Sequence, residues 1–246
     1  PEPLAAGSIA QVHRAQTPDG SDVVLKIRRP GIQEKVGADL RLLLRVAQFA
    51  EHESSELARF QPRRIAKDFQ RSIRAELDLS IEARNMRALG SRMADEELLV
   101  IPRVHEQWSG ERLLVMDYLE GLSAADWIGG LRPTGFDPRA LAALGARVLV
   151  KMVFAHGVFH ADPHPGNVLF LDGGRIGLLD FGLVGHLSQA RRQQFVLLLG
   201  AIVERDEEAV ADALRTWSER EHVDHESLLA DIRGFLDRYH GVPIGE

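Results

Sequence analysis

The sequence predicts a two-lobed α+β protein: a small β-rich N-lobe that also carries long helices, residues 1–119, and a mainly helical C-lobe, residues 120–246. Alternating apolar residues around the turn Pro18-Asp19-Gly20 mark a β-hairpin near the start. Helical apolar spacing dominates residues 188–239. Between them lies the densest polar segment, His160-Ala161-Asp162-Pro163-His164-Pro165-Gly166-Asn167. A β-rich half followed by a helical half is the pattern of an α+β chain.

The elements follow in order. Pro3-Leu4-Ala5-Ala6-Gly7-Ser8 opens the chain, and Ile9-Ala10-Gln11-Val12-His13-Arg14-Ala15 alternates like a strand. Val23-Val24-Leu25-Lys26-Ile27 is the second strand of the hairpin, and Pro30-Gly31 ends it. Residues 32–60 read as a helix with Leu40, Leu43, Leu44 and Ala47 on one face. A second long helix is expected over 62–93, with Ile65, Phe69, Ile73 and Leu77 at four-residue spacing. The apolar runs 98–104 and 112–118, parted by Ser109-Gly110, read as another hairpin, and Glu120-Gly121 as a hinge. Residues 138–154 are helical and apolar. Runs 168–171 and 176–179 flank Asp172-Gly173-Gly174 as a short hairpin, closed by Asp180-Phe181-Gly182.

Composition narrows the function classes. Of 246 residues, 45% are hydrophobic and 27% charged, which excludes a disordered or collagen-like chain. There is no cysteine, hence no disulfide framework, thiolate metal site or cysteine nucleophile. The net charge of −6 gives no case for nucleic acid as a partner. Lysine occurs only at 26, 35, 67 and 151, so a lysine at a motif position stands out. The longest clean apolar run, 195–203, is nine residues against the roughly 20 that cross a bilayer. The chain therefore reads as a soluble fragment of a longer protein.

The polar segment suits phosphoryl transfer from a nucleotide. That reaction needs a positioner near the acceptor, oxygen ligands for Mg²⁺, a cation on the phosphates and backbone donors around them. Asp162, Asn167 five positions later and Asp180 at a strand end supply carboxylate and amide oxygens for a hard ion. Lys26 supplies the cation.

A strand lysine, His-x-Asp-x-x-x-x-Asn and Asp-Phe-Gly in this order resemble the protein-kinase-like superfamily. Ala5-Ala6-Gly7-Ser8 in place of a Gly-rich loop, Ala161 between His160 and Asp162, and the absence of Ala-Pro-Glu point to the UbiB-like atypical kinases, or aarF-domain kinases, associated with ubiquinone biosynthesis. The resemblance covers nearly the whole chain. It implies a protein-kinase-like fold, ATP or ADP with Mg²⁺ as cofactors, and support of isoprenoid-quinone synthesis. It further implies that Ala5, Ala6, Gly7 and Ser8 form the phosphate loop and that Lys26 meets the phosphates. By the same resemblance Glu82 pairs with Lys26, Asp162 is catalytic, and Asn167 and Asp180 are metal ligands. Glu76 and Asp78 match the family's Glu-x-Asp motif. Met116 takes the gatekeeper position, with the Asp117 and Leu119 backbone facing adenine. A Lys-x-Gly-Gln motif of the family is not in this chain. Lipid, a quinone precursor and the cytoplasmic face of a bacterial membrane are implied partners through missing flanks.

Helical geometry tests one assignment. At about 100° per residue, Asp78, Glu82 and Asn85 share a face and Glu76 lies roughly 200° from Asp78. One straight helix therefore cannot aim Glu76 and Glu82 at the same lysine. Glu82 is the expected partner of Lys26, Asp78 the runner-up, and Glu76 is expected to face the family's Lys-x-Gly-Gln segment. His156, His160 and His164 recur every four residues, but Pro163 and Pro165 break any helix that would make them a zinc face; His160 is expected to buttress the loop. Two alternatives stay open: a small-molecule phosphotransferase of the aminoglycoside-kinase type, and a nucleotide-binding pseudokinase scaffold.

Overall fold

The computed structural model describes residues 2–53, 55–131, 135, 137–218 and 224–239. The chain opens with β1 (Ala5–Ala6), β2 (Ala10–Gln16) and β3 (Asp22–Arg28), followed by α1 (Ile32–Glu53), α2 (Ser55–Ala58), α3 (Pro62–Glu76) and α4 (Leu79–Arg92). Next come β4 (Leu99–Val100), β5 (Leu113–Asp117), β6 (Leu122–Ser123), α5 (Ala124–Ile128) and α6 (Pro138–Val150). The strands β7 (Val158–His160), β8 (Val168–Leu171), β9 (Arg175–Leu178) and β10 (Val184–His186) precede α7 (Gln189–Glu204), α8 (Glu207–Trp217) and α9 (His225–Tyr239).

Two compact units result: Pro1–Met152 with Val158–Gly185, and Val153–Gly157 with His186–Glu246. The polar loop and its strands fall in the same unit as the N-terminal sheet. In the first unit, β1-β2-β3-β5 form an antiparallel sheet and β4-β9-β8-β6 a mixed one, parallel only between β4 and β9. The β2–β3 register sets Val12 opposite Lys26, and β3–β5 sets Lys26 opposite Leu114. Val12, Lys26 and Leu114 therefore project from one face of the sheet. Below that face lies a core of Leu79, Met86, Leu89, Leu114, Met152, Val158 and Phe181. The second unit has its own core of Leu198, Ala201, Val210, Ala211, Ile232 and Leu236.

Two expectations are corrected, and the helical reading of 188–239 is refined. The helix over 62–93 is broken at Leu77-Asp78. Asp78 adopts an extended backbone (φ −110°, ψ 94°) and caps α4 by accepting from the Ser80 amide at 3.0 Å. A short carboxylate gains more at an N-cap than inside a helix, where it competes with the backbone. The hairpin over 98–118 reduces to a single bridge between Val104 and Met116: β4 instead pairs in parallel with β9, and β5 pairs antiparallel with β3. A run of helical periodicity over 188–239 resolves into α7, α8 and α9, and a short strand, β10, precedes it. Ser188, Asp206 and their side-chain bonds to Arg191 and Ala209 amides mark two of the helix starts.

Candidate functional site: a lysine held by two carboxylates

Strand β3 and helix α4 are brought together by the core, because α4 buries Leu79, Ala83, Met86 and Leu89 on one face. Glu82 sits within that stripe and is only 3% exposed. Lys26 Nζ lies 2.9 Å from each Glu82 oxygen and 3.1 Å from Asp180 Oδ1. The pairing expected from helix register is the one formed; Asp78 is spent as a cap. Burial alone would lower the Lys26 pKa, but the charges of Glu82 and Asp180 outweigh it and raise the pKa above the usual lysine value. Burial likewise works to raise Asp180, and Lys26 outweighs it, leaving that carboxyl below its ordinary value. Glu82 is pushed up by burial against the pull of Lys26.

Glu82 also tethers the Asp-Phe-Gly segment. Its Oε1 accepts from the Phe181 amide at 3.3 Å, and Asn85, three residues along the same helix face, donates to the Phe181 carbonyl at 2.8 Å. Phe181 is fully buried, its ring 5.3 Å from that of His160. Asp180 itself stands at φ 56°, left-handed backbone that a short polar side chain tolerates best. Its Oδ1 accepts from the Gly182 amide at 3.3 Å.

The polar loop is folded around His160. Its Nδ1 accepts from the Asp162 amide at 3.2 Å, so its proton belongs on Nε2, which donates to the Leu179 carbonyl at 2.8 Å. Asn167 Nδ2 donates to the Asp162 carbonyl at 3.1 Å, and the Leu179 amide donates to the Asn167 carbonyl at 2.8 Å. These bonds link the ends of β7, β8 and β9 and leave the Asp162 carboxylate exposed. His160 thus has the buttressing geometry expected. Among the described residues no group of three or more His, Asp or Glu side chains is arranged to hold a metal. Asn167 and Asp180 offer two oxygen donors. That donor set fits Mg²⁺, which takes one or two protein ligands and completes its shell with water and substrate phosphates.

Glu76 is not where a straight helix would put it. The break after it re-aims the end of α3, and Glu76 is half-buried within electrostatic reach of the site. Burial raises its pKa, Asp180 and Asp162 add repulsion, and Lys26 pulls the other way. The sequence did contain the signal, since Asp78 followed by Ser80 and Glu82 is a helix-start pattern.

At the other end of the sheet, Met116 is buried. The Asp117 amide is committed to the Arg103 carbonyl at 3.0 Å and the Tyr118 amide to the Asp22 carbonyl at 3.2 Å. The Leu119 amide makes no hydrogen bond among the described residues. His105, absent from the sequence reading, lies 2.7 Å from the Asp117 carboxylate and stacks on Trp108. Gly121 has no room for a Cβ, which would fall 2.5 Å from Leu171 and 2.7 Å from the Phe170 carbonyl. Ala5, Ala6, Gly7 and Ser8 are exposed; the loop is held by the Gly7 amide on the Ala10 carbonyl and by Arg29 on the Gly7 carbonyl.

Known proteins share this arrangement of sequence. Residues 1–214 match the family described as ABC1 atypical kinase-like domain. The whole chain is 34% identical to a probable protein kinase UbiB of Cellvibrio japonicus, covering 45% of it. It is 32% identical to the protein slr0889 of Synechocystis, covering 62%. The chain thus spans about half the length of these curated relatives. A solved structure, the Rv3197–erythromycin complex from Mycobacterium tuberculosis, has the same fold: TM-score 0.69 at 24% identity, over 96% of this chain and 59% of that one. With its protein-kinase-like α+β fold, the chain belongs to the ABC1 atypical kinase-like family, as its Ala-rich loop, strand lysine and Asp-Phe-Gly segment anticipated.

Proposed function

We propose that the chain binds ATP with Mg²⁺ and acts as an atypical kinase or ATPase in support of isoprenoid-quinone synthesis, with hydrolysis favoured over phosphorylation of other proteins. The observation that carries the reading is Lys26 Nζ held between Glu82 and Asp180 on the face of the sheet. A lysine fixed in this way presents its charge to phosphate oxygens without a large reorganisation on binding. Asn167 and Asp180 would hold the metal, which neutralises charge on the phosphates when bound. Asp162, exposed and oriented by His160 and Asn167, accepts a proton from, or orients, the attacking oxygen. Leu119 and the Asp117 carbonyl face the base, and the backbone around Ala5, Ala6, Gly7 and Ser8 faces the phosphates.

The preference for hydrolysis rests on a short segment. Only residues 183–187 separate Gly182 from the Ser188 cap of α7, and part of that segment is strand β10. Little chain remains to make a peptide platform. The resemblance adds lipid or a quinone precursor as partners and the cytoplasmic membrane face as location. Phosphate release from Mg²⁺-ATP tests the reading, with Asp162→Asn as control. Turnover lost in the variant while nucleotide still binds supports an enzyme; binding without turnover in the unaltered protein supports the pseudokinase scaffold. Transfer to an aminoglycoside would support the small-molecule alternative.

A further inference from the structure

The closed end of the α1–α3 hairpin takes no part in the phosphate site, and its surface is unlike the rest of the chain. Residues 59–74 hold six cations against one carboxylate, Asp68, in a chain of net charge −6. All six cations are exposed. Arg63, Arg64, Lys67 and Arg71 line a groove of about 380 Å³ together with Gln61, Glu51 and Asp68. Both acids there are engaged: Asp68 pairs with Arg71 at 2.9 Å, and Glu51 accepts from the Arg63 amide at 3.1 Å. Large apolar side chains crowd the same end. Phe49 is 67% exposed, Phe60 70% and Ile65 61%, and Leu57 is exposed beside them. Helix α3, which carries Ile65, buries only Ala66.

We propose that this hairpin end docks on an anionic lipid surface. Phe49, Phe60 and Ile65 would enter the boundary between headgroups and acyl chains, and Arg63, Arg64 and Lys67 would meet lipid phosphates. Charge decides the occupant. A second copy of the chain would bring the same cations face to face, which like-charge repulsion opposes. A nucleic acid would use the cations and leave Leu57 and Ile65 in water. An anionic bilayer satisfies both kinds of side chain at once. The proposal deepens the membrane side of the reading above, since it assigns the contact to this chain's own surface and not to flanking segments.

Flotation of the chain with phosphatidylcholine vesicles, with and without phosphatidylglycerol, tests it in the absence of nucleotide. The expected result is binding to the anionic vesicles alone, weakening as salt rises. R63A/R64A/K67A should bind roughly a hundredfold more weakly, since each juxtamembrane cation contributes about a factor of five. Phe60→Ser should also weaken binding. Melting temperature and ATP affinity, measured alongside, should be unchanged in both variants, which separates this surface from the phosphate site. Equal binding to neutral vesicles, or no loss in the triple variant, would overturn the proposal. So would a dimer that Phe60→Ser dissociates in the absence of vesicle binding, or tighter binding of RNA than of anionic vesicles.

Discussion

Helices α3 and α4 are neighbours in sequence and of nearly equal length, yet they live in different environments. The 15 residues of α3 bury one side chain, Ala66; the 14 residues of α4 bury five, Leu79, Glu82, Ala83, Met86 and Leu89. Periodicity alone made them one helix. Spacing says where an apolar stripe is, but only packing partners say whether it is covered. Helix α4 is fixed by the sheet and in turn fixes Lys26 and Phe181. Helix α3 contributes to the site only through its last residue, Glu76.

The comparison breaks most visibly at Glu82. Glu82→Ala leaves Lys26 buried beside Asp180 alone and should cost about 3–5 kcal/mol, the range for removing one partner of a buried ion pair. Urea unfolding checks it; a loss below about 1 kcal/mol would mean the pair contributes no more than a surface one. Next in size, Leu89→Ala in α4 should cost about 2–5 kcal/mol through cavity formation. Ile65→Ala in α3, at an exposed position, should stay within about 0.5 kcal/mol. Similar losses for the two would contradict the contrast between the helices.

Asp78→Ala should cost about 1 kcal/mol, as loss of an N-cap does. A loss as large as that of Glu82→Ala would show that Asp78 supports the lysine as well. The smallest effect concerns Glu76. Its pKa is raised in the folded protein by burial and by Asp180, so the folded state binds the proton more tightly than the unfolded chain. Stability from this group is therefore present at low pH and lost as pH rises through the raised value. Glu76→Gln should stabilise the protein at neutral pH, by less than about 1 kcal/mol for a half-buried group. The gain should vanish below about pH 4, where the carboxyl is protonated in both states. Thermal melts at the two pH values read the sign directly.

Much of the site was legible because its signals are local. Lys26 sits on a strongly apolar strand, His160 to Asn167 forms a polar island, and Glu82 shares a helix face with Asn85 at three-residue spacing. The Lys26–Glu82 contact spans 56 residues, yet each half of it is set by its own element's periodicity. What could not be read was set by competition or by distance. The break at Leu77-Asp78 required weighing a capping bond against helix continuation. The parallel pairing of β4 with β9 joins residues more than 70 apart, with no turn between them to signal it. His105 lies on irregular backbone and meets Asp117 only through the bridge at Val104 and Met116.

If Asp180 and Lys26 form one charged site for a metal–nucleotide complex, calorimetry of ATP binding will reveal it. Wild type and Asp180→Asn are titrated with ATP, with and without Mg²⁺. Asn keeps the shape of the side chain and removes the charge that a hard divalent ion requires. In Asp180→Asn, Mg²⁺-ATP binding should weaken by at least about tenfold, while metal-free ATP, which meets a Lys26 relieved of one carboxylate, should bind no more weakly than before. An equal change in the two titrations, or no change in either, would contradict it.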